Sequence, residues 1–225
     1  MDILGLSSQA MKAYQSKLDN IAHNISNVST DGYKKIKTDF VEENGNIKIY
    51  DYADKSKGDV LSTSRETDLV LEEGGFLAVE DDNNKVFYTS NLSLYVDADG
   101  NLKNSAGFYV LSDNGRIKLT PGQKISINQN GEIMEGDKKN ETLRLVSFPK
   151  EAKLSYMGKG LYLSDLEPKN YEGKVLSGFK ETSNVNSVEE MSEMIRVMRN
   201  FERISNIINQ DNAVSSKMIN TFSKF

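Results

Sequence analysis

Of the 225 residues in this chain one is a histidine, His23, and none is a cysteine. Thiolate nucleophiles, disulfides and zinc–sulfur sites are therefore excluded. A Ser-His-Asp triad or a multi-histidine metal site would have to be built around His23 alone. That residue lies in a stretch of helical period, opposite the apolar seam Leu18/Ile21/Ile25, where it reads as an exposed or interface position. Gly74-Gly75 follows a strand-like segment but lacks the Lys-Ser/Thr of a phosphate loop. Glu80-Asp81-Asp82 lacks the ligand spacing of a calcium loop and reads as a solvated hairpin tip. These residues give no catalytic constellation, no cofactor site and no metal site.

The stronger signal is two long amphipathic stretches, one at each end. From Ser183 to Phe225 the chain contains no glycine or proline. Ser187 with Glu190 forms a capping box, and Asn186 with Glu189 would serve one residue earlier. Apolar residues then fall at Met191, Met194, Met198, Phe201, Ile204, Ile208, Met218, Phe222 and Phe225, in steps of three and four interrupted at Asp211 and Ser215. Acids early (Glu189, Glu190, Glu193) and lysines late (Lys217, Lys224) suit a helix dipole. Leu4, Met11, Tyr14, Leu18, Ile21, Ile25 and Val28 repeat the spacing near the N-terminus, with a stop expected at Ser29-Thr30-Asp31-Gly32. A helix with one apolar stripe needs a partner to bury it. The two ends are expected to pair as a coiled-coil-like domain, within a chain or between chains; an ordinary helical hairpin closing a core has the same pattern.

Between them, from about Ile36 to Lys180, short alternating or apolar segments replace the helical period. They include Ile47 to Tyr52, Asp68 to Leu71, Phe76 to Val79, Leu92 to Val96 and Ile117 to Leu119. Asn44-Gly45, Asp99-Gly100, Asn114-Gly115 and Asn130-Gly131 mark turns, and residues 109–120 read as a hairpin about Asn114-Gly115. The expected fold is α+β: terminal helices (residues 1–35 with 182–225) around an inserted antiparallel all-β domain (36–181). Lys34-Lys35-Ile36-Lys37 and residues 177–182 read as linkers, the lysines solvated. A net charge of −5 without a Lys/Arg block argues against nucleic acid as partner. No apolar stretch reaches membrane-spanning length, which argues against an integral membrane protein. The first residues lack a basic region followed by a long apolar run, so no Sec signal is read; a cytoplasmic protein or one exported without a cleaved signal fits.

The run Leu18-Asp19-Asn20-Ile21-Ala22-His23-Asn24-Ile25-Ser26-Asn27-Val28-Ser29-Thr30-Asp31-Gly32-Tyr33-Lys34 resembles a signature of the rod and hook axial proteins of the bacterial flagellum, with Asn24, Asn27, Thr30, Gly32 and Tyr33 on the motif and His23 and Ser26 departing from it. Gly178-Phe179-Lys180-Glu181-Thr182 followed by Ser183, Asn184, Val185 and Asn186 resembles that family's C-terminal element. Thr67 to Leu71, Gly75 to Val79, Asp99 to Leu102 and Gly107 to Leu111 match its middle, while Ser90-Asn91-Leu92 replaces the usual arginine-containing step. The resemblance implies a non-enzymatic rod subunit of the basal body, of the proximal-rod type first and the distal-rod type second. It implies export by the flagellar type III apparatus and helical polymerisation with copies of itself and other axial proteins. The seam residues Leu18, Ile21, Ile25 and Val28, with Met191, Met194, Met198, Phe201, Ile204 and Ile208, would then form the assembly interface. A hook or junction component of the same family, or a ligand-binding or enzymatic β domain dimerised by its helices, are the alternatives.

Overall fold

A computed structural model describes residues 3–222, with side chains from Gly5 to Asp211 and at Ala213 and Val214. Among the seam and dipole positions, the side chains of Leu4, Ser215, Lys217, Met218, Phe222, Lys224 and Phe225 lie outside the described residues. The fold is α+β, with a helix toward each end of the chain and a large β-rich region between them. Contacts divide the chain into two units, one of residues 1–26, Ile36–Asp51 and 186–225, the other of Asn27–Lys35 and Tyr52–Val185. The first unit also takes in Ile36–Asp51, which the side chains of the first helix hold.

In the helical unit, α1 (Ile3–Ser26) packs against α2 (Ser187–Phe222) and against β1 (Ile36–Glu43), which pairs with β2 (Asn46–Ala53). Asn44 and Gly45 both have positive φ (53° and 77°), the type I′ turn that joins twisted strands in two residues. The hairpin belongs with α1 because α1 offers it a line of polar and aromatic partners. Gln9 Oε1 accepts from the Ile47 amide (2.8 Å), and Asn20 donates to Thr38 Oγ1 (2.8 Å). Tyr14 meets Phe40 edge-on at 5.6 Å. The helix ends at Ser26, sooner than the expected stop at Gly32, because Asn27 to Thr30 form a hydrogen-bonded turn instead.

In the β unit, the main sheet has twelve strands among the described residues, paired antiparallel. Its path runs Leu154–Gly158, Leu161–Ser164, Val86–Thr89, Phe76–Glu80, Tyr109–Ser112, Leu102–Asn104, Leu92–Val96, Asp68–Leu71 and Val175–Ser177. Leu77, Val79, Leu94, Leu102, Val110 and Ile117 are buried in its core, each contributing about 1.5–3 kcal/mol by leaving water. A second aromatic cluster gathers Phe76, Tyr162, Tyr88 and Phe148.

One turn recurs four times, beginning at Asp81, Asp97, Asn104 and Asn128. In each, the first side-chain oxygen accepts the amide of the fifth residue (2.8–3.0 Å). The amide of the fourth residue bonds back to the first carbonyl, and that fourth residue, Asn84, Gly100, Gly107 or Gly131, has φ between 62° and 89°. Asp or Asn at the start and a residue tolerant of the left-handed region three later suffice to encode it. Two of the four were legible as Asp99-Gly100 and Asn130-Gly131. The hairpin about residues 109–120 forms with Ser112 opposite Gly115, so Asp113-Asn114 is its loop. Ile117 to Leu119, expected as a strand, forms only an isolated bridge through Lys118 to Asn101, its apolar side chains going into the core.

Candidate assembly surface

The terminal helices meet on a face that differs in phase from the expected seam. On α1, Ile21 is buried, and Leu18 and Ile25 are half-buried. Val28, half-buried, lies past the end of the helix. On α2, Met194, Phe201, Ile204 and Ile208 are half-buried, but Met191 and Met198 are 52% and 47% exposed. The buried positions in their place are Glu190 and Val197. The period of three and four is intact; it starts at Glu190. Val188, Met191, Ile195 and Met198 form a second, exposed stripe at the same spacing.

Glu190 is inward because it has a partner. Its Oε2 accepts from Asn24 Nδ2 (2.9 Å), and Asn24 is itself fully buried. The same Asn24 amide donates to the Ile36 carbonyl (2.9 Å) and accepts from the Ile36 amide (2.8 Å), extending the β1 backbone onto α1 as a peptide group would. The Glu190 amide bonds back to the Asn186 carbonyl (3.0 Å), so α2 starts one residue earlier than a Ser187 cap would have it, as the alternative reading of Asn186 with Glu189 placed it. The cap is Asn186, whose Oδ1 accepts the amides of Val188 (3.0 Å) and Glu189 (3.3 Å), the first orphan donors of α2. Lys17 bridges to Glu193 at 2.9 Å. Desolvation raises the Glu193 carboxyl, but Arg196 and Lys17 together outweigh it and leave its pKa lowered.

The remaining signature residues converge in the β unit. Residues 31–35, coming from α1, lie beside residues 180–184, going to α2. The Gly32 amide donates to the Glu181 carbonyl (2.8 Å) and the Asn184 amide to the Tyr33 carbonyl (3.3 Å). Asn184 Oδ1 accepts the Lys35 amide (2.7 Å), while its Nδ2 donates to the carbonyls of Asp54 (3.0 Å) and Ser56 (2.9 Å). Tyr33 is buried with its ring edge-on to Tyr156, and Val185 is buried as well. Gly32, at φ +66°, passes so close to the backbone of Ser90 that a Cβ would lie 2.6 Å from the Ser90 carbonyl oxygen. The small Ser90, where the resemblance departs, hydrogen-bonds the Gly32 carbonyl through its hydroxyl. Asn27 accepts from the Thr30 hydroxyl (3.1 Å), and Ser183 from the Val185 amide (3.2 Å).

Lys34, expected as a solvated linker residue, is 1% exposed. Its Nζ bonds Glu181 Oε1 at 2.6 Å and the Ser56 carbonyl at 2.9 Å, and Glu181 also accepts the Gly58 amide (2.9 Å). A buried ammonium is tolerated only with such partners. Tyr162, its hydroxyl pKa raised by burial, accepts the Lys34 amide at 2.9 Å. Composition could not find this pair. Its two members are 147 residues apart, and each sits in a signature that also holds a charge of the opposite sign, Asp31 in one and Lys180 in the other.

Helices toward both ends of the chain, flanking one β-rich region to which each end also contributes a signature segment, define an architecture that the comparisons with known proteins identify. Residues 6–34 match the family model for flagella basal body rod protein, 70–135 that for the flagellar hook protein FlgE/F/G D1 domain, and 176–221 that for the flagellar basal body rod FlgEFG protein C-terminal region. The chain is similar to the flagellar basal-body rod protein FlgG of Bacillus subtilis, 28% identical over 93% of this chain and 95% of that one. It is also similar to the rod protein FlgF of Escherichia coli, 32% identical over 72% of this chain and 71% of that one. The flagellar hook protein FlgE of Brucella abortus is 33% identical over 45% of this chain, but over only 28% of its own length. The chain belongs to the flagellar basal-body rod protein family, of the FlgF/FlgG type.

Proposed function

We propose that this protein is a structural subunit of the flagellar basal-body rod that polymerises helically through its terminal helices and transmits torque. The observation carrying this reading is the order of the three family matches, which fall on both terminal signatures and on the β unit between them. The polymer contacts are drawn from the same helices. Ile21, Leu18 and Ile25 with Met194, Phe201, Ile204 and Ile208 form the coiled-coil-like seam, and Met191 and Met198 look outward to neighbouring subunits. A contact that joins unlike patches on successive copies does not close on itself, which is the geometry of a helical rod. The partners are copies of this chain and other axial proteins, reached after export by the flagellar type III apparatus. No catalytic role is assigned. Quantitative mass spectrometry of purified hook–basal bodies tests this directly. The protein is expected at a low copy number matching the rod rather than the hook; its absence from the particle would overturn the assignment.

A further inference from the structure

The segments that join the β unit to the two helices run side by side in the same direction. Going up one, Asp31, Gly32, Tyr33, Lys34 and Lys35 are bonded in turn to Lys180, Glu181, Asn184, Glu181 and Asn184 of the other. The cross-links are two backbone hydrogen bonds, the Asn184 side chain, the Lys180–Asp31 ion pair at 3.0 Å and the buried Lys34–Glu181 pair. Direction decides how such a pair yields. Tension drawn through α1 pulls the N-terminal end of one segment, and tension through α2 pulls the C-terminal end of the other. In a parallel pair those ends lie at opposite extremes, so the load runs along the segments and every cross-link must give at once. In an antiparallel pair they would lie together and the bonds would open one by one.

We propose that the parallel pairing of residues 31–35 with residues 180–184 is a mechanical clamp, loaded in shear when force reaches the β unit through the terminal helices. Its purpose rests on the reading of the protein as a torque-bearing rod subunit; its mechanics do not. The Lys34–Glu181 pair is the element that sets its strength. Both groups are buried, so water cannot replace the broken ion pair as the segments begin to slide.

Single-molecule tweezers at constant force, holding the full chain by its two ends, test the clamp. The wild-type protein is expected to yield at the clamp in one long step that frees the about 145 intervening residues, roughly 500 Å of chain. Glu181→Gln keeps the shape but removes the charge, and its lifetime under force is expected to shorten on the order of 100-fold. Should that variant fold poorly, the double variant Lys34→Met/Glu181→Leu removes both charges; it should fold and still yield sooner than wild type. Leu94→Ala is the control, weakening the sheet core in denaturant without a matching loss of lifetime under force. Unchanged lifetimes in both clamp variants overturn the proposal, as does a sheet that opens in smaller steps while the clamp holds. Absence of the protein from basal bodies would count against the rod reading and leave these measurements standing.

Discussion

Single residues here act mainly by closing turns and filling tight backbone crossings. Asp97 is the clearest case among the four recurrent turns. Its carboxylate accepts from the Asn101 side chain and, against the opposing effect of desolvation, from the Asn101 amide and Lys103, which together lower its pKa to about 2. Because the folded value lies below the unfolded one, the stability it contributes is present above about pH 4 and disappears as pH falls through 2. Asn101→Ala is expected to move the Asp97 titration back toward the ordinary carboxylate range, as read by NMR of its carboxyl carbon. An unmoved midpoint would mean that the backbone amide of residue 101 and Lys103 hold the charge without the Asn101 side chain. Gly32→Ala tests the other kind of residue. It would force a side chain into the left-handed region and against Ser90, and is expected to lower stability by about 1–3 kcal/mol in denaturant unfolding.

At the scale of elements, spacing was legible and phase was not. The three-four period of α2 is present, yet Met191 and Met198 face outward because Val197 and Glu190 supply the inner stripe one residue away. A glutamate at a buried position looks like a solvent residue until Asn24, 166 residues distant, is seen to bind it. Of the hairpin, β2 was expected at Ile47 to Tyr52, but β1 was hidden for a related reason. That inner strand, Ile-Lys-Thr-Asp-Phe-Val-Glu-Glu, meets amides and an aromatic ring of α1 rather than an apolar wall, so its alternation is weak. The Asn-Gly turn between the two strands was visible, since that dipeptide carries its own backbone preference. The first free amides of α2 bond the Asn186 side chain, so Asn186→Ala is expected to cost about 1 kcal/mol, with Ser187→Ala close to neutral. Hydrogen exchange in the first turn of α2 would separate the two; equal effects would restore the capping box.

For the molecule as a whole, the proposed rod function makes the two stripes of α2 separable, the buried one by its part in folding and the exposed one by assembly. Ile21 and Val197 lie on the inner faces and are buried within the single chain, so a charge there damages the subunit before it meets another. Ile21→Asp or Val197→Asp should destabilise by several kcal/mol, an uncompensated charge being among the costliest changes a packed face can suffer. Met191 and Met198 already face solvent in the single chain, and Met198→Glu should shift its stability by no more than about 0.5 kcal/mol. If that outer stripe meets neighbouring subunits in the rod, Met198→Glu buries the same uncompensated charge once per subunit along the polymer, and incorporation fails although the monomer is intact. The two classes separate when chemical unfolding of the purified protein is set beside its copy number in purified hook–basal bodies. Normal incorporation of Met198→Glu would remove the outer stripe from the interface and leave the inner seam, exchanged between chains, as the contact that builds the rod.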